Sequence, residues 1–206
     1  NLERRPHAQK IIRMARRLGA LVMPRNRWVA LLVHGLVSAV RLLPAGRALF
    51  DDLKIKPPNV FDAGLFWRDP DAVRLGAGSM LPQAWVRRGG RGTPLLSDDV
   101  LGPHWALIGF GVDAASRLPP HLLDRWTRMG GKTWQWCHRG QAQHLASPER
   151  RLEDLDGVVL PRRVPIGWVA LVRPDRCVLA EGPVSSAPEL VARALELIEP
   201  AQATAG

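Results

Sequence analysis

The chain has 206 residues, 46 % of them hydrophobic and 23 % charged, and carries a net charge of +10 at pH 7. This composition is typical of a globular protein with a buried core and excludes an intrinsically disordered chain. The most apolar window, residues 28–43, contains His34 and Arg41 and is shorter than the roughly 20 apolar residues that span a membrane. It therefore predicts a buried helix rather than a membrane anchor.

The positive charge is almost entirely arginine, and adjacent arginine pairs are scattered along the chain. These pairs are Arg4-Arg5, Arg16-Arg17, Arg87-Arg88, Arg150-Arg151 and Arg162-Arg163. No nucleic-acid motif accompanies them, and the sequence has no tyrosine for base stacking. Charge without a motif is only a general attraction to polyanions, so we do not expect a nucleic-acid site.

The two cysteines, Cys137 and Cys177, lie far apart and form no CxxC motif. This usage fits a reducing compartment without disulfides, and a cytoplasmic protein is the expectation. The first residue is Asn rather than Met, which indicates a piece of a longer polypeptide.

Residues 1–50 predict two helices. Apolar residues recur at helical spacing from Ala8 to Leu18, and Gly19 follows where a helix-ending glycine belongs. The window 28–43 predicts a second helix that is apolar nearly all round and needs cover on several sides. This short segment cannot supply that cover, so we interpret it as the helical tail of a larger domain.

Residues 51–80 are rich in proline and glycine and show no sustained period, which predicts an extended connecting arm. Within the arm, "GAGSML" (76–81) looks like the start of a dinucleotide-binding fingerprint. The third glycine is missing, no predicted strand precedes it and no predicted helix follows. We therefore interpret these glycines as turn residues.

From Leu81 the pattern alternates between short strands and helices, and a domain is predicted over residues 81–200. Strands are predicted at 105–111, 133–140, 169–172 and 177–180, after a short extended segment at 81–86. Helices are predicted as one turn that Ser97 or Asp98 caps, at 119–130, and at 186–199 with Ser186 as N-cap. This order predicts an α/β fold with a thioredoxin-like core, a four-stranded mixed sheet with flanking helices, and residues 201–206 as a disordered tail.

The charged segment Arg173-Pro174-Asp175-Arg176 separates the last two predicted strands. Pro174 presets a turn φ and the Asp175 side chain can accept from its own backbone, so the segment predicts a tight hairpin turn. In this fold Cys137 and Cys177 lie on strands at opposite edges of the sheet, three spacings of about 4.8 Å apart. Both are therefore expected to stay reduced.

No residue pattern assigns a catalytic, cofactor or metal site. Cys137, His138, His144 and Cys177 match no standard zinc spacing, and no acid–base partner is indicated for Cys177 as a nucleophile. Asp98 and Asp99 are better explained as a helix cap beside a solvent-facing acid than as a catalytic carboxylate pair. Three tryptophans fall at core spacing and are expected to pack the sheet against its helix: Trp126, Trp134 and Trp136.

Five segments together resemble the C-terminal part of FAD-dependent aromatic hydroxylases, and most closely the 3-(3-hydroxyphenyl)propionate hydroxylases. They are "ERRPHA" (3–8), "LKIKPPNVFDAGLFW" (53–67), "LPQAWV" (81–86), "LLSDDVLGPHWALIGFG" (95–111) and "ALVRPDRCV" (170–178). The residues that carry the signature, to which we assign a structural role, are Pro82, Gln83, Asp98, Asp99, Leu101, Gly102, Arg173, Pro174 and Asp175.

The resemblance implies a parent enzyme that hydroxylates a phenolic ring with O₂ and NAD(P)H through FAD. The flavin-binding motifs of that family would precede "ERRPHA", and none is in this sequence, so no cofactor is expected in this chain. Its implied partners are an FAD-binding domain of the same polypeptide and further copies in a homo-oligomer. The chain itself would be a non-catalytic scaffold. The alternative is a stand-alone thioredoxin-fold module that binds an acidic protein or nucleic acid; the "GVDAASR" loop (111–117) holds no redox CxxC.

Overall fold

The computed structural model describes residues 3–22, 26–42, 60–71, 73–141 and 147–203. The chain divides into two compact units, residues 1–64 and residues 65–206. Residues 51–59 and 72 of the predicted arm lie outside the described residues.

The described residues of the first unit form two helices, α1 (Arg4–Val22) and α2 (Arg27–Leu42). The prediction that α1 ends at Gly19 is wrong, because a single glycine costs a helix only about 1 kcal/mol and good helix formers continue on both sides. Asn26 begins α2, since its side-chain oxygen accepts from the backbone N–H of Trp28 at 2.9 Å. Both helices carry large apolar side chains that are exposed: Ile11, Ile12, Trp28, Leu31, Leu32 and Leu36.

The second unit is built on one mixed sheet of seven strands in the order β2-β1-β5-β4-β3-β6-β7. The strands are β1 (Trp85–Arg88), β2 (Leu95–Leu96), β3 (Ala106–Phe110), β4 (Lys132–His138), β5 (Arg151–Asp154), β6 (Trp168–Val172) and β7 (Val178–Pro183). The pairs β3–β4 and β4–β5 are parallel and the other pairs are antiparallel. The predicted count of four strands is therefore wrong, because β5, β1 and β2 extend the sheet beyond β4.

The predicted hairpin at residues 169–180 is confirmed, since β6 and β7 pair antiparallel in register Leu171↔Ala180. Cys137 lies on β4 and Cys177 directly precedes β7, so β3 and β6 separate their strands. The predicted placement of Cys137 at a sheet edge is wrong, because β4 is the central strand of seven. Neither Cys137 nor Cys177 forms a disulfide, and both side chains are buried.

Three helices belong to this unit: α3 (Ser97–Leu101), α4 (Pro120–Arg128) and α5 (Ala187–Ala203). On one sheet face, Leu107, Val169 and Leu171 pack with Trp126 of α4 and Leu195 of α5. The opposite face is covered by α3 and the segment after β5, and its core comprises Ile108, Phe110, Trp134, Trp136, Leu152, Leu101, Leu160 and Val164. The expectation that Trp134 and Trp136 pack against the helix is wrong, because strand alternation turns them to the face away from α4.

The predicted helix caps also differ from the structure. Residue Leu96 precedes α3 and no side chain caps that helix, whereas the Ser97 hydroxyl accepts from the backbone N–H of Ala84 at 3.2 Å. The Ser186 hydroxyl donates to the carbonyl of Pro183 at 2.7 Å. Helix α5 continues to Ala203, so part of the predicted tail is helical, and residues 204–206 lie outside the described range.

Candidate functional site

Asp98 of α3 connects three segments that are distant in sequence. Its carboxylate accepts from the Gln83 amide nitrogen at 2.8 Å, and its backbone carbonyl accepts from Arg176 Nη2 at 2.7 Å. Arg176 Nε also faces the same carboxylate at 3.5 Å. The structure thus brings two signature residues, Gln83 and Asp98, together with Arg176 of the hairpin turn.

The other signature residues near α3 do not take part in this contact between Asp98, Gln83 and Arg176. Leu101 is fully buried, Asp99 is exposed, and Pro82 is half-buried. Gly102 ends α3 with φ at 58°, a left-handed conformation that glycine adopts without strain. This region therefore supports the α3 turn and its packing.

The hairpin turn is held by its own side chains. Arg173 Nη2 and Asp175 Oδ2 form an ion pair at 2.9 Å, and Asp175 Oδ1 accepts from the backbone N–H of Cys177 at 3.3 Å. Arg173 Nη1 also donates to the carbonyl of Leu65 at 3.3 Å, and Pro174 is exposed between them. The charges of this turn therefore stabilise the hairpin and fasten the preceding arm.

Two buried carboxylates organise the segments on either side of the sheet, and sequence reasoning missed both. Asp154 accepts from the Trp136 indole at 3.2 Å and from the backbone N–H groups of Gly157, Val159 and Leu160 at 2.8 to 3.1 Å. Glu181 of β7 accepts from the backbone of residues 75–76 and from the indole of Trp168. Each carboxylate accepts hydrogen bonds from loop N–H groups that have no backbone acceptor, which is a structural role.

Strands β4, β5 and β1 present a polar face that the sequence did not predict. Register pairs Gln135 with Arg151, Cys137 with Glu153, and Glu153 with Arg87, so these five side chains share one face of the sheet. Gln135, Arg151 and Glu153 are 4 %, 7 % and 6 % exposed, and Cys137 is fully buried. Charged residues are rarely buried to this extent without a partner, so this face is the most unusual part of the described structure.

A cavity of about 660 Å³ opens beside this polar face. It is lined by two turns, residues 89–91 and Gly140, together with Pro148, Arg151 and Glu153. Gly89, Gly90 and Gly140 have φ of 64°, 74° and 85°, so glycines allow both turns to fold at its rim. We refer to it as the Arg151 cavity.

The Cys137 side chain belongs to this face. Burial raises its pKa from the usual 9.0 to about 11, while the Arg151 guanidinium lowers the pKa and the Glu153 carboxylate raises it. Since the thiolate is the reactive form, this cysteine is protonated and inert at neutral pH.

The raised pKa of Cys137 gives a stability prediction. The unfolded chain loses this proton near the ordinary value and the folded chain only near 11, so the free energy of unfolding contains a contribution that falls as pH rises between those values. We expect Cys137→Ala to flatten this decline in urea unfolding at pH 8 to 10.5. Cys177→Ala is the control. A thiol titration without reductant should count two thiols in the denatured chain and none that react rapidly in the folded chain; an equal pH decline in Cys137→Ala would contradict the pKa assignment.

Other sites that the sequence raised do not assemble. Within the described ranges no group of three or more His, Cys, Asp or Glu side chains could hold a metal ion, and His144 lies outside those ranges. Gly76 and Gly78 have φ of 84° and 89°, as expected of turn glycines. No helix of the described chain is long and apolar enough to cross a bilayer.

Comparison with known families decides where the chain belongs. The sequence profile of the HcaD C-terminal domain matches residues 78–197, which is more than half of the chain. The chain belongs to this family. The chain is also similar to whole hydroxylases. It is 30 % identical over 188 residues to a 3-(3-hydroxy-phenyl)propionate/3-hydroxycinnamic acid hydroxylase of Burkholderia vietnamiensis, and the match covers 87 % of the chain and 34 % of that protein.

A hydroxylase of the same name from Mycolicibacterium vanbaalenii is 26 % identical over 205 residues, covering 92 % of the chain and 34 % of that protein. The predicted resemblance of this chain to the C-terminal part of these hydroxylases is therefore confirmed. The chain spans about a third of the length of these relatives.

Among solved structures, the flavin-dependent monooxygenase PieE, in complex with FAD and substrate, is similar with a TM-score of 0.51 and 20 % identity. The similarity covers 88 % of this chain and 32 % of PieE. At this identity the likeness concerns the fold alone.

Proposed function

We propose that this chain is the C-terminal third of a cytoplasmic, FAD-dependent monooxygenase that hydroxylates a phenolic substrate with O₂ and NAD(P)H. The observation that carries the proposal is the match to the HcaD C-terminal domain together with coverage of about a third of hydroxylase relatives. FAD and its binding domain would then belong to the rest of the same polypeptide. Flavin supplies the oxygen chemistry in such enzymes, and the protein supplies position and electrostatics.

Within that enzyme we assign the chain a non-catalytic scaffold role. Its signature residues support this assignment, because Asp98 pairs with Gln83 and Arg176, and Arg173 pairs with Asp175. These contacts hold the fold together. We also propose the domain boundaries of residues 51–80 as the connecting arm and residues 81–200 as the globular domain.

We further propose that the globular domain has a thioredoxin-like core. Four strands support this, since β4-β3-β6-β7 form a mixed sheet in which α4 connects the parallel pair β3–β4. The antiparallel hairpin β6–β7 and the closing helix α5 complete the unit. The three remaining strands extend this core beyond β4.

The helices of the first unit have apolar side chains that fit an interdomain surface. Trp28, Leu32 and Leu36 of α2 are 62 %, 75 % and 67 % exposed. Apolar surface of this kind, concentrated on one helix, marks an interaction site in a folded protein. We propose that the FAD-binding domain covers it, with contacts to further copies of the enzyme as a second partner.

The proposal predicts that the chain alone neither binds FAD nor oxidises NADH in the presence of a phenolic substrate. FAD needs a helix N-terminus and glycines that admit its pyrophosphate, and the "GAGSML" segment forms turns instead. The measurement is flavin fluorescence titrated with purified chain, alongside NADH oxidation with 3-(3-hydroxyphenyl)propionate. The flavin-dependent monooxygenase PieE is the positive control, since it forms a complex with FAD. Micromolar FAD binding by the 206-residue chain would contradict the scaffold role.

A further inference from the structure

We infer that the Arg151 cavity binds a small oxyanion, a carboxylate or a phosphate group, through the Arg151 guanidinium. The inference is independent of the hydroxylase assignment, because it rests on the polar face of β4, β5 and β1 alone. The relatives' names do not mention a ligand of this face.

The polar face has a surplus of hydrogen-bond donors. Within the described residues, four buried nitrogens on this face have no acceptor: Nε and Nη1 of Arg151, Nε2 of Gln135 and Nε of Arg87. Among the described residues of this face, no buried side-chain oxygen lacks a hydrogen-bond partner. A buried donor without a partner costs about 1–3 kcal/mol, so a ligand that completes this face must supply acceptors.

The charges on this face indicate that the acceptor is an anion. Glu153 is already engaged, since it accepts from the backbone N–H of Gly140 at 2.9 Å and faces Arg87 Nη1 at 3.4 Å. Arg151 therefore remains a buried cation without a counterion among the described residues. Guanidinium groups form strong, short hydrogen bonds with carboxylates and phosphates, and a desolvated site strengthens them.

The cavity brings a ligand next to the Arg151 side chain. Arg151 lines it directly, and Arg91 stands at its rim as an exposed second cation. Its volume of about 660 Å³ falls in the range of small-molecule sites, which leaves room for an organic group behind the anionic one. Gln135 does not line this cavity; it lines a smaller one of about 100 Å³. It is nevertheless the neighbour of Arg151 on the adjacent strand and shares its face of the sheet.

The test titrates the 206-residue chain with inorganic phosphate and, separately, with benzoate as a carboxylate probe. Heat of binding and Tm are measured at constant ionic strength set with sodium chloride. We expect a saturable rise in Tm with at least one probe and a Kd of roughly 1 mM or lower. The comparison of the two probes tells a phosphate site from a carboxylate site.

Two variants assign the binding to Arg151. Arg151→Met should weaken it by roughly tenfold or more, since the charge-assisted bonds are lost. Arg163→Gln is the matched control, because it removes the same charge from an exposed arginine outside the cavity lining, and its affinity should equal that of the wild type.

A third variant decides the question if Arg151→Met fails to fold. Gln135→Glu places a carboxylate one strand spacing from Arg151, about 4.8 Å, and supplies the acceptor internally. It should fold and lose the response to both probes. The inference is overturned if the wild type shows no saturable response to either probe, if Arg151→Met binds as tightly as Arg163→Gln, or if Gln135→Glu retains binding.

Discussion

Replacement of Asp154 by alanine is expected to destabilise the chain by about 3–5 kcal/mol, which is a large share of the stability of an ordinary domain. The Asp154 carboxylate is 1 % exposed and accepts from Trp136 and from three backbone N–H groups of the segment after β5. Alanine leaves these donors without an acceptor in a core that water does not reach. Urea unfolding followed by far-ultraviolet circular dichroism measures the loss, and tryptophan fluorescence reports on Trp136 directly.

Asp156 provides the matched control for this prediction. It is also an aspartate of the same segment, but it is exposed, and among the described residues it accepts from the backbone N–H of Trp85 at 3.3 Å. We expect Asp156→Ala to change the free energy of unfolding by less than about 1 kcal/mol. Equal effects of the two substitutions would show that Asp154 does not organise the segment.

The strands that the sequence predicted have an apolar run or, for β4 (predicted at residues 133–140), an alternating pattern. The runs at residues 105–111 and 169–180 consist of aliphatic side chains bounded by glycine or by the charged turn, and they form β3, β6 and β7. A fully buried strand needs such a run, because both of its faces meet other side chains. For these elements local sequence was sufficient.

Strand β5 was missed because its sequence, "RLED", has no strand pattern. All four of its residues are nevertheless buried, with Leu152 and Asp154 on one face and Arg151 and Glu153 on the other. Burial of these charges depends on partners elsewhere in the chain, such as Trp136 and Gly140. No local rule predicts such a strand, and with it the polar face and its cavity were also missed.

The signature residues were recognised as a set, but their contacts were not. Asp98 and Arg176 are 78 positions apart, and only the folded sheet brings the hairpin turn against α3. Arg176 has φ at 69°, a conformation that a non-glycine residue rarely adopts, and its contacts with Asp98 offset that strain. A pairing of this kind depends on tertiary structure.

Replacement of Glu181 by alanine is expected to release the arm that precedes the sheet and to cost about 3 kcal/mol of stability. The Glu181 carboxylate is the acceptor for the backbone N–H of Leu75 at 2.8 Å, of Gly76 at 2.6 Å and for the Trp168 indole at 2.9 Å. Arg74 stacks on the Trp168 ring at 5.4 Å, so the same loss weakens that contact too.

Two readouts separate release of the arm from general destabilisation. Trypsin should cleave after Arg74 at least several times faster in Glu181→Ala under native conditions, because local opening precedes global unfolding in a segment held by few bonds. Glu181→Gln should be intermediate, since one of its two oxygens becomes a donor that faces the same N–H groups. Glu189→Ala removes the same charge from the exposed first turn of α5, so it should lower the free energy of unfolding by less than about 1 kcal/mol and leave cleavage unchanged. If Glu181→Ala unfolds at lower urea while cleavage after Arg74 stays at the rate of Glu189→Ala, then the carboxylate supports the sheet but does not hold the arm.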